Sequence, residues 1–379
     1  MPSRRFLFTV AVLFGLLHAW IGLRILPALP VPAWGQWLGG AWLAASWLLV
    51  PAGLLARFLW RAPVADRLTW AGMLSMGLFS SLLVATALRD LVLLGAHLAG
   101  VSSAVLTTWS AVAVVASALL VSVAGFINAR RLARVVEVEV PLAGLPHALH
   151  GFRIAQISDI HVGPTIKGSY LARIVDRVNR LQPDLVAVTG DLVDGSVAEL
   201  SAHTAHLARL QARHGSYFVT GNHEYYAGAD SWVAELRRLG LRVLMNEHVV
   251  LSHDGAQLVV AGVTDYGAHH FDPAQRSDPL AAVRGAPAGA PRVLLAHQPR
   301  TAPAAAQAGF DLQLSGHTHG GQFWPWNHFV PLQQPFTAGL HRLQRLWVYV
   351  SRGTGYWGPP KRFGAPSEIT FLRLVPMPG

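Results

Sequence analysis

The sequence predicts two parts in different solvents: a four-helix transmembrane region over residues 1–135, and a layered α/β domain over residues 136–379. Three observations lead there. Apolar stretches of helix length crowd the first part. Basic residues clearly outnumber acidic ones only in that part. Short β-type runs alternate with helical segments in the second.

The candidate spans are residues 6–26, 37–60, 68–88 and 104–129. Each holds about 20 or more mostly apolar residues, enough to cross a hydrocarbon core of about 30 Å. Breaks fall at "LPALPVPAWG", "RAPVADR" and "GAHLAGVSS". Trp20, Trp34, Trp37, Trp60 and Trp70 lie near the proposed ends, where amphipathic rings anchor a helix at the interface.

Arginines set the expected orientation. Arg4, Arg5, Arg57, Arg61, Arg67, Arg130, Arg131 and Arg134 flank one side; Arg24 and Arg89 flank the other. This asymmetry predicts a multi-pass protein of the inner (cell) membrane with both ends, and hence the α/β domain, in the cytoplasm. The opening "PSRRFLFTVAVLFGLLHAW" also has secretory and twin-arginine character, but its apolar stretch is long and three more spans follow, so it reads as a retained helix. Arg89 and Asp90 close the third span and are expected to snorkel or pair at the interface.

A net charge of +10 raises the question of a nucleic-acid partner. Its distribution answers no: residues 1–135 carry 10 of the 30 Lys and Arg against two acids, and the remainder carry 20 against 18. The excess therefore belongs to the membrane-flanking pattern. There is no cysteine, so disulfides and thiolate metal sites are excluded and a metal would need His, Asp, Asn or water.

From Val136 the chain alternates polar and apolar residues in "VEVEV", and then short β-type runs follow at 152–158, 184–190, 216–221, 257–263, 292–297, 311–316, 346–351 and 368–374. Helical candidates lie at 168–181, 197–213 and 230–239, and residues 273–291 read as a surface loop with a short helix. Strand runs with little alternation are buried on both faces, and their alternation with helices gives a layered domain.

Polar residues gather where these runs end. The first ends in "SDIHVG" (Asp159, His161) and the second in "TGDLVDG" (Asp191). The third ends in "TGNHEYY" (Asn222, His223, Glu224), the fifth in "AHQPR" (His297) and the sixth in "SGHTHGGQ" (His317, His319). The carboxyl ends of strands are where α/β sheets bind ligands. Singly, each of these is an ordinary turn or cap; five in order, each after an apolar run, suggest a site.

The series Asp-x-His, Gly-Asp, Gly-Asn-His-Glu, His, Gly-His-Thr-His resembles the calcineurin-like metallophosphoesterases over residues 151–374. The closing "SRGTGYWGPPKRFGAPSEITFLRL" resembles that family's membrane-associated bacterial branch. The resemblance implies a β-sandwich flanked by helices and two divalent metal ions. Carried over by position, Asp159, His161 and His319 would bind the first ion, Asn222, His297 and His317 the second, and Asp191 would bridge both. His223 is the implied catalytic group, protonating the leaving oxygen or stabilising its charge, with Asp159 orienting it. Ligands of N and O without S suit manganese, which is favoured, or iron or zinc. Ions about 3.5–4 Å apart can share an attacking hydroxide and neutralise phosphoryl charge.

The implied function is a membrane-anchored binuclear-metal phosphoesterase acting on phosphomonoesters or phosphodiesters by metal-bridged hydroxide attack, with lipid-linked esters among the candidate substrates. The competing class is a non-catalytic metal-binding module regulating a membrane assembly. The aromatics Phe323, Trp324, Trp326, Phe329 and Phe336 follow the last ligand; they would either dip into the membrane interface or pack their loop onto the domain. Arg352, Lys361 and Arg362 are candidate phosphate contacts, each expected first as a solvated surface cation.

Overall fold

The computed structural model describes residues 4–377. Pro378 and Gly379, at the end of the expected second domain, lie outside the described residues, as does the side chain of Arg4. The chain forms two compact units, one of residues up to Ile127 together with Gly358–Lys361, the other of Asn128–Trp357 with the residues from Arg362 onward.

The first unit is built on helices α1 (Arg4–Ile25), α2 (Ala33–Leu59), α3 (Val64–Leu98) and α4 (Ala104–Arg130). Among the described residues, these four are long and apolar enough to cross a membrane. The third runs about ten residues beyond the expected end, because "ALRDLVLLGAHL" keeps strong helix formers up to Gly100, whose φ of +71° stops it. The charges at that end are paired: Asp90 lies 3.0 Å from Arg24 Nε and 3.6 Å from Arg89. Arg89 also donates to the Arg24 and Thr107 carbonyls and to Ser110 Oγ. Gly53 and Gly72 face each other across α2 and α3, where a Cβ on either would meet the other's backbone.

Lys361 belongs to this unit and is buried, donating at 2.8 Å to the Gly77 carbonyl and also to the hydroxyls of Ser81 and Ser122. The expectation of a solvated surface lysine is corrected: its short stretch "GPPK" packs against helix backbone, and three oxygen acceptors satisfy the ammonium there.

The second unit holds two six-stranded sheets. Its strands are β1 (Arg134–Leu142), β2 (Arg153–Ile157), β3 (Leu185–Val188), β4 (Ser216–Phe218), β5 (Arg242–Val243), β6 (Glu247–His253), β7 (Ala256–Gly262), β8 (Arg292–Leu295), β9 (Leu312–Ser315), β10 (Gly339–Leu343), β11 (Leu346–Val350) and β12 (Glu368–Pro376). The sheet orders are β1-β12-β2-β3-β4-β5 and β10-β11-β9-β8-β7-β6. The strands that end at candidate ligands, β2, β3 and β4 in one sheet and β8 and β9 in the other, run parallel within their sheet.

Side chains alternate between faces, as the two-residue period of a strand requires. Leu185 and Ala187 of β3 point into a central core with Leu258, Val293, Leu295, Leu312 and Leu314 of the other sheet. Val186 and Val188 point the other way, against α5 (Gly168–Arg180) through Leu171, Ile174 and Val178. The outer face of the second sheet packs Leu294, Val348 and Val350 against Ala302 and Ala305. The domain is therefore a β-sandwich flanked by helices, and burial on both faces is why its strands read as nearly continuous apolar runs.

Candidate metal centre

The parallel strands deliver their carboxyl-terminal loops to one place. Beyond β2 and β3 the two chains stay zipped together: Asp159 N–H donates to the Gly190 carbonyl at 3.0 Å, His161 N–H to Asp191 at 3.1 Å and Val162 N–H to Leu192 at 2.8 Å. From the other sheet, Gly316 N–H donates to the His297 carbonyl at 2.9 Å. The Asp159 carboxylate accepts the His317 N–H at 2.9 Å, which joins loops of the two sheets.

Five of the seven candidate ligands have left-handed backbone: Asp159, His161, Asp191, His317 and His319, with φ between 51° and 70°. For residues with a Cβ this conformation is uncommon, and it persists where surroundings over-determine it. Its concentration on these five side chains marks a site whose geometry is held against local preference.

Besides a group of His161 with Asp194 and His223, the candidate ligands form two groups of donor atoms, each with its atoms within 4.8 Å of one another: Asp159, His161 and His319, and Asp191, His297 and His317. Asp191 Oδ2 reaches toward both, 3.2 Å from His297 Nε2 and 3.9 Å from His161 Nε2. Asn222 opens helix α7 (Asn222–Ala227, counting α6 as Val197–Thr204) directly after β4, and the next N–H, that of His223, donates to Asp191 Oδ1 at 2.9 Å.

The residues fit divalent cations. His161 Nε2 and His319 Nε2 face each other at 3.1 Å, and His297 Nε2 and His317 Nδ1 at 3.2 Å. Asn222 Oδ1 is buried without a hydrogen-bond donor, a deficit of about 1–3 kcal/mol that a cation would remove. His297 directs Nδ1 at the Thr189 carbonyl at 2.8 Å and His161 directs Nδ1 at Asp194 at 2.9 Å, leaving Nε2 of each for a cation. Burial and the charge on neighbouring His297 push His317 down to about 3, and burial with the Arg362 charge holds His319 well below the usual range; burial disfavours the His297 imidazolium too, but the Asp191 carboxylate carries it well above the usual range, so a cation on His297 would have to displace a proton. His319 differs in one respect: the Arg362 guanidinium, which can only donate, stands 3.0 Å from its Nδ1.

His223 stands beside these groups, its Nε2 3.9 Å from Asp191 Oδ2. Asp194, absent from the sequence-derived set, holds its Nδ1 at 2.7 Å, whereas Asp159, the partner expected there, is engaged with the His317 N–H. Burial pushes the His223 imidazolium down, but the Asp191 charge and the Asp194 hydrogen bond carry it up to about 9. Burial likewise disfavours the Asp194 carboxylate, yet His161 and His223 hold it well below the usual range. Glu224, which carries no role in the sequence reading, is buried; it accepts the N–H groups of Gly221, Asp191 and Leu192 at 2.6–3.0 Å and so ties the β3 and β4 loops together.

Arg362 is fully buried, contrary to the surface role expected of it, and donates to the carbonyls of His319, Arg352 and Gly355. Arg352 pairs with buried Glu368 at 3.0 Å. The closing motif thus braces the His319 loop by hydrogen bonds. Of the aromatics after Gln322, Phe323 is buried and Phe336 packs against the outer core and stacks on His341, so packing holds those two. Trp324, Trp326 and Phe329 keep large exposed areas.

Residues 152–321 match the family model described as Calcineurin-like phosphoesterase. A transmembrane protein with metallophosphoesterase domain from Danio rerio is 41% identical over 263 residues, covering 67% of this chain and 60% of its own length. A metallophosphoesterase of Helicobacter pylori (strain ATCC 700392 / 26695) is 40% identical, covering 59% of this chain and 60% of its own. A metallophosphoesterase of Aquifex aeolicus (strain VF5) is 33% identical, covering 59% of this chain and 84% of its own. This chain thus spans about three fifths of the length of the first two.

Proposed function

The chain belongs to the calcineurin-like metallophosphoesterase family, and we propose that it is a membrane-anchored phosphoesterase hydrolysing phosphomonoesters or phosphodiesters, lipid-linked ones included, with a binuclear metal site. The observation that carries this reading is the convergence of two donor groups on Asp191, with Asn222 Oδ1 buried and unpartnered at the end of β4. Asp159, His161 and His319 would hold one ion, Asn222, His297 and His317 the other, and Asp191 both; residues 1–135 would be the anchor and residues 136–379 the catalytic domain.

Two divalent ions, manganese favoured, would supply Lewis-acid activation of water and neutralise phosphoryl charge. The chain's own residues supply the rest. His223, oriented by Asp194, presents Nε2 to donate a proton to the leaving oxygen. Glu224 and the paired loop backbones hold the donor atoms in place before substrate arrives, so little reorganisation accompanies reaction. The arginine asymmetry supports a cytoplasmic domain on an inner-membrane anchor.

The test is a panel of chromogenic mono- and diesters given to the full chain in lipid nanodiscs, with Mn2+ and with chelator. Turnover that requires metal and falls at least about 100-fold in Asp191→Ala is expected. Metal-loaded protein that binds two ions yet turns over nothing would instead favour the regulatory metal-binding module.

A further inference from the structure

His223 is flanked by two exposed aromatic rings that the site described above does not use. Tyr226 lies one helical turn along α7, on the same face as His223, with ring centroids 5.3 Å apart at 69°. Trp357, from the segment after β11, meets the same ring at 5.6 Å and 72°. The two are 59% and 48% exposed. Phe271, also exposed, continues the run at 5.7 Å from Tyr226.

The placement of Trp357 is specified by the ligand loop itself. Gln322 grips both of its backbone groups: the Trp357 N–H donates to Oε1 at 2.9 Å and Nε2 donates to the Trp357 carbonyl at 2.7 Å. Gln322 has φ +59°, in the same left-handed series as His317 and His319. One short loop therefore carries two candidate ligands and fixes a tryptophan beside the proton donor.

Scattered exposed rings need no explanation. A contiguous run centred on the imidazole that meets the leaving oxygen is different, because whatever is attached to that oxygen must pass over it. Aromatic faces favour flat or apolar groups. We infer that Tyr226 and Trp357 form a leaving-group subsite that selects phosphoesters of apolar alcohols, and that Gln322 is the residue positioning Trp357. The inference rests on the phosphoesterase reading. The apolar group can be an aryl ring or an alkyl chain, and the experiment separates them.

Phenyl, hexyl and glyceryl esters, each as phosphomonoester and methyl phosphodiester, are given to the Mn2+-loaded full chain in nanodiscs. Trp357→Ala is expected to lower the kcat/KM preference for phenyl over glyceryl ester about 10-fold. A matching loss for hexyl identifies any apolar group; loss for phenyl alone identifies an aryl group. A phenyl-to-glyceryl preference unchanged in Trp357→Ala overturns the subsite. Binding of phenylphosphonate and methylphosphonate by calorimetry reads the same preference without turnover. Gln322→Ala should reduce the phenyl-to-methyl affinity ratio, and the Gln322→Ala/Trp357→Ala double variant should lose no more than Trp357→Ala alone; additive losses would overturn the positioning role. Absence of turnover on every ester by the wild type would refute the phosphoesterase reading, and calorimetry would still score the subsite: a phenyl preference lost in Trp357→Ala upholds it, and equal affinities in the wild type overturn it.

Discussion

Asp194 Oδ1 lies 2.7 Å from Nδ1 of His223, and the same oxygen lies 2.9 Å from Nδ1 of His161. One carboxylate therefore sets the ring orientation of a candidate ligand and of the candidate proton donor. Asp194→Asn keeps an oxygen acceptor but removes the charge. It is expected to lower kcat by about 10- to 100-fold, the usual cost of losing a group that orients metal-ligating histidines. Steady-state kinetics with elemental analysis of bound metal check this; a wild-type kcat at full metal content removes Asp194 from the machinery.

The buried, unpartnered Asn222 Oδ1 gives a prediction whose sign depends on metal. In chelator, Asn222→Ala should melt no lower than wild type, since it removes an unsatisfied polar atom. With Mn2+ present, wild type should gain stability, about 2.7 kcal/mol at a hundredfold excess over Kd, and the variant less. Thermal melting in nanodiscs measures both; an equal gain would exclude Asn222 as a ligand.

A Cβ at Gly316 would run into Ser158 Oγ and Asp159 Oδ2. Gly316→Ala should therefore push Asp159 out of place, release metal, and cost on the order of 100-fold in activity, the scale of a misplacement of about 1 Å. Gly95→Ala, with nothing within 4 Å of its Cβ, is the control and should retain both metal and activity. Equal behaviour of the two variants would contradict the packing described around Asp159.

Membrane orientation is open to a direct assay. A fluorescent reporter that matures only in the cytoplasm, fused after Gly379, should fluoresce, while a periplasm-dependent phosphatase at the same position should be inactive. The opposite pattern would reverse the arginine argument and move the catalytic domain across the membrane.

Much of the candidate site was legible because its side chains follow strands whose apolar runs announce their ends. Asp159 and His161 after β2, Asp191 after β3 and His317 and His319 after β9 each stand where an apolar run ends, and it is their succession in order, not any one of them, that marks a site. Asp194 had a signal, a second acid three residues after Asp191 in "GDLVDG", but its partners His161 and His223 lie about thirty residues away on either side. Arg362 and Lys361 carried no local sign of burial, since a charged residue in a Pro- and Gly-rich stretch reads as surface until its acceptors are known.

The sequence by itself determined the apolar helices, the order of strands and helices in the second half, and the residue types able to hold metal, because periodicity, span length and donor chemistry are local properties. Only the tertiary structure decided which atoms meet: that Asp194 rather than Asp159 holds His223, that Arg362 reaches His319, and that Gln322 sets Trp357 beside His223. Those contacts join loops from separate strands, and their distances depend on how two sheets stack and how far each loop departs into left-handed backbone, which no stretch of the chain specifies alone.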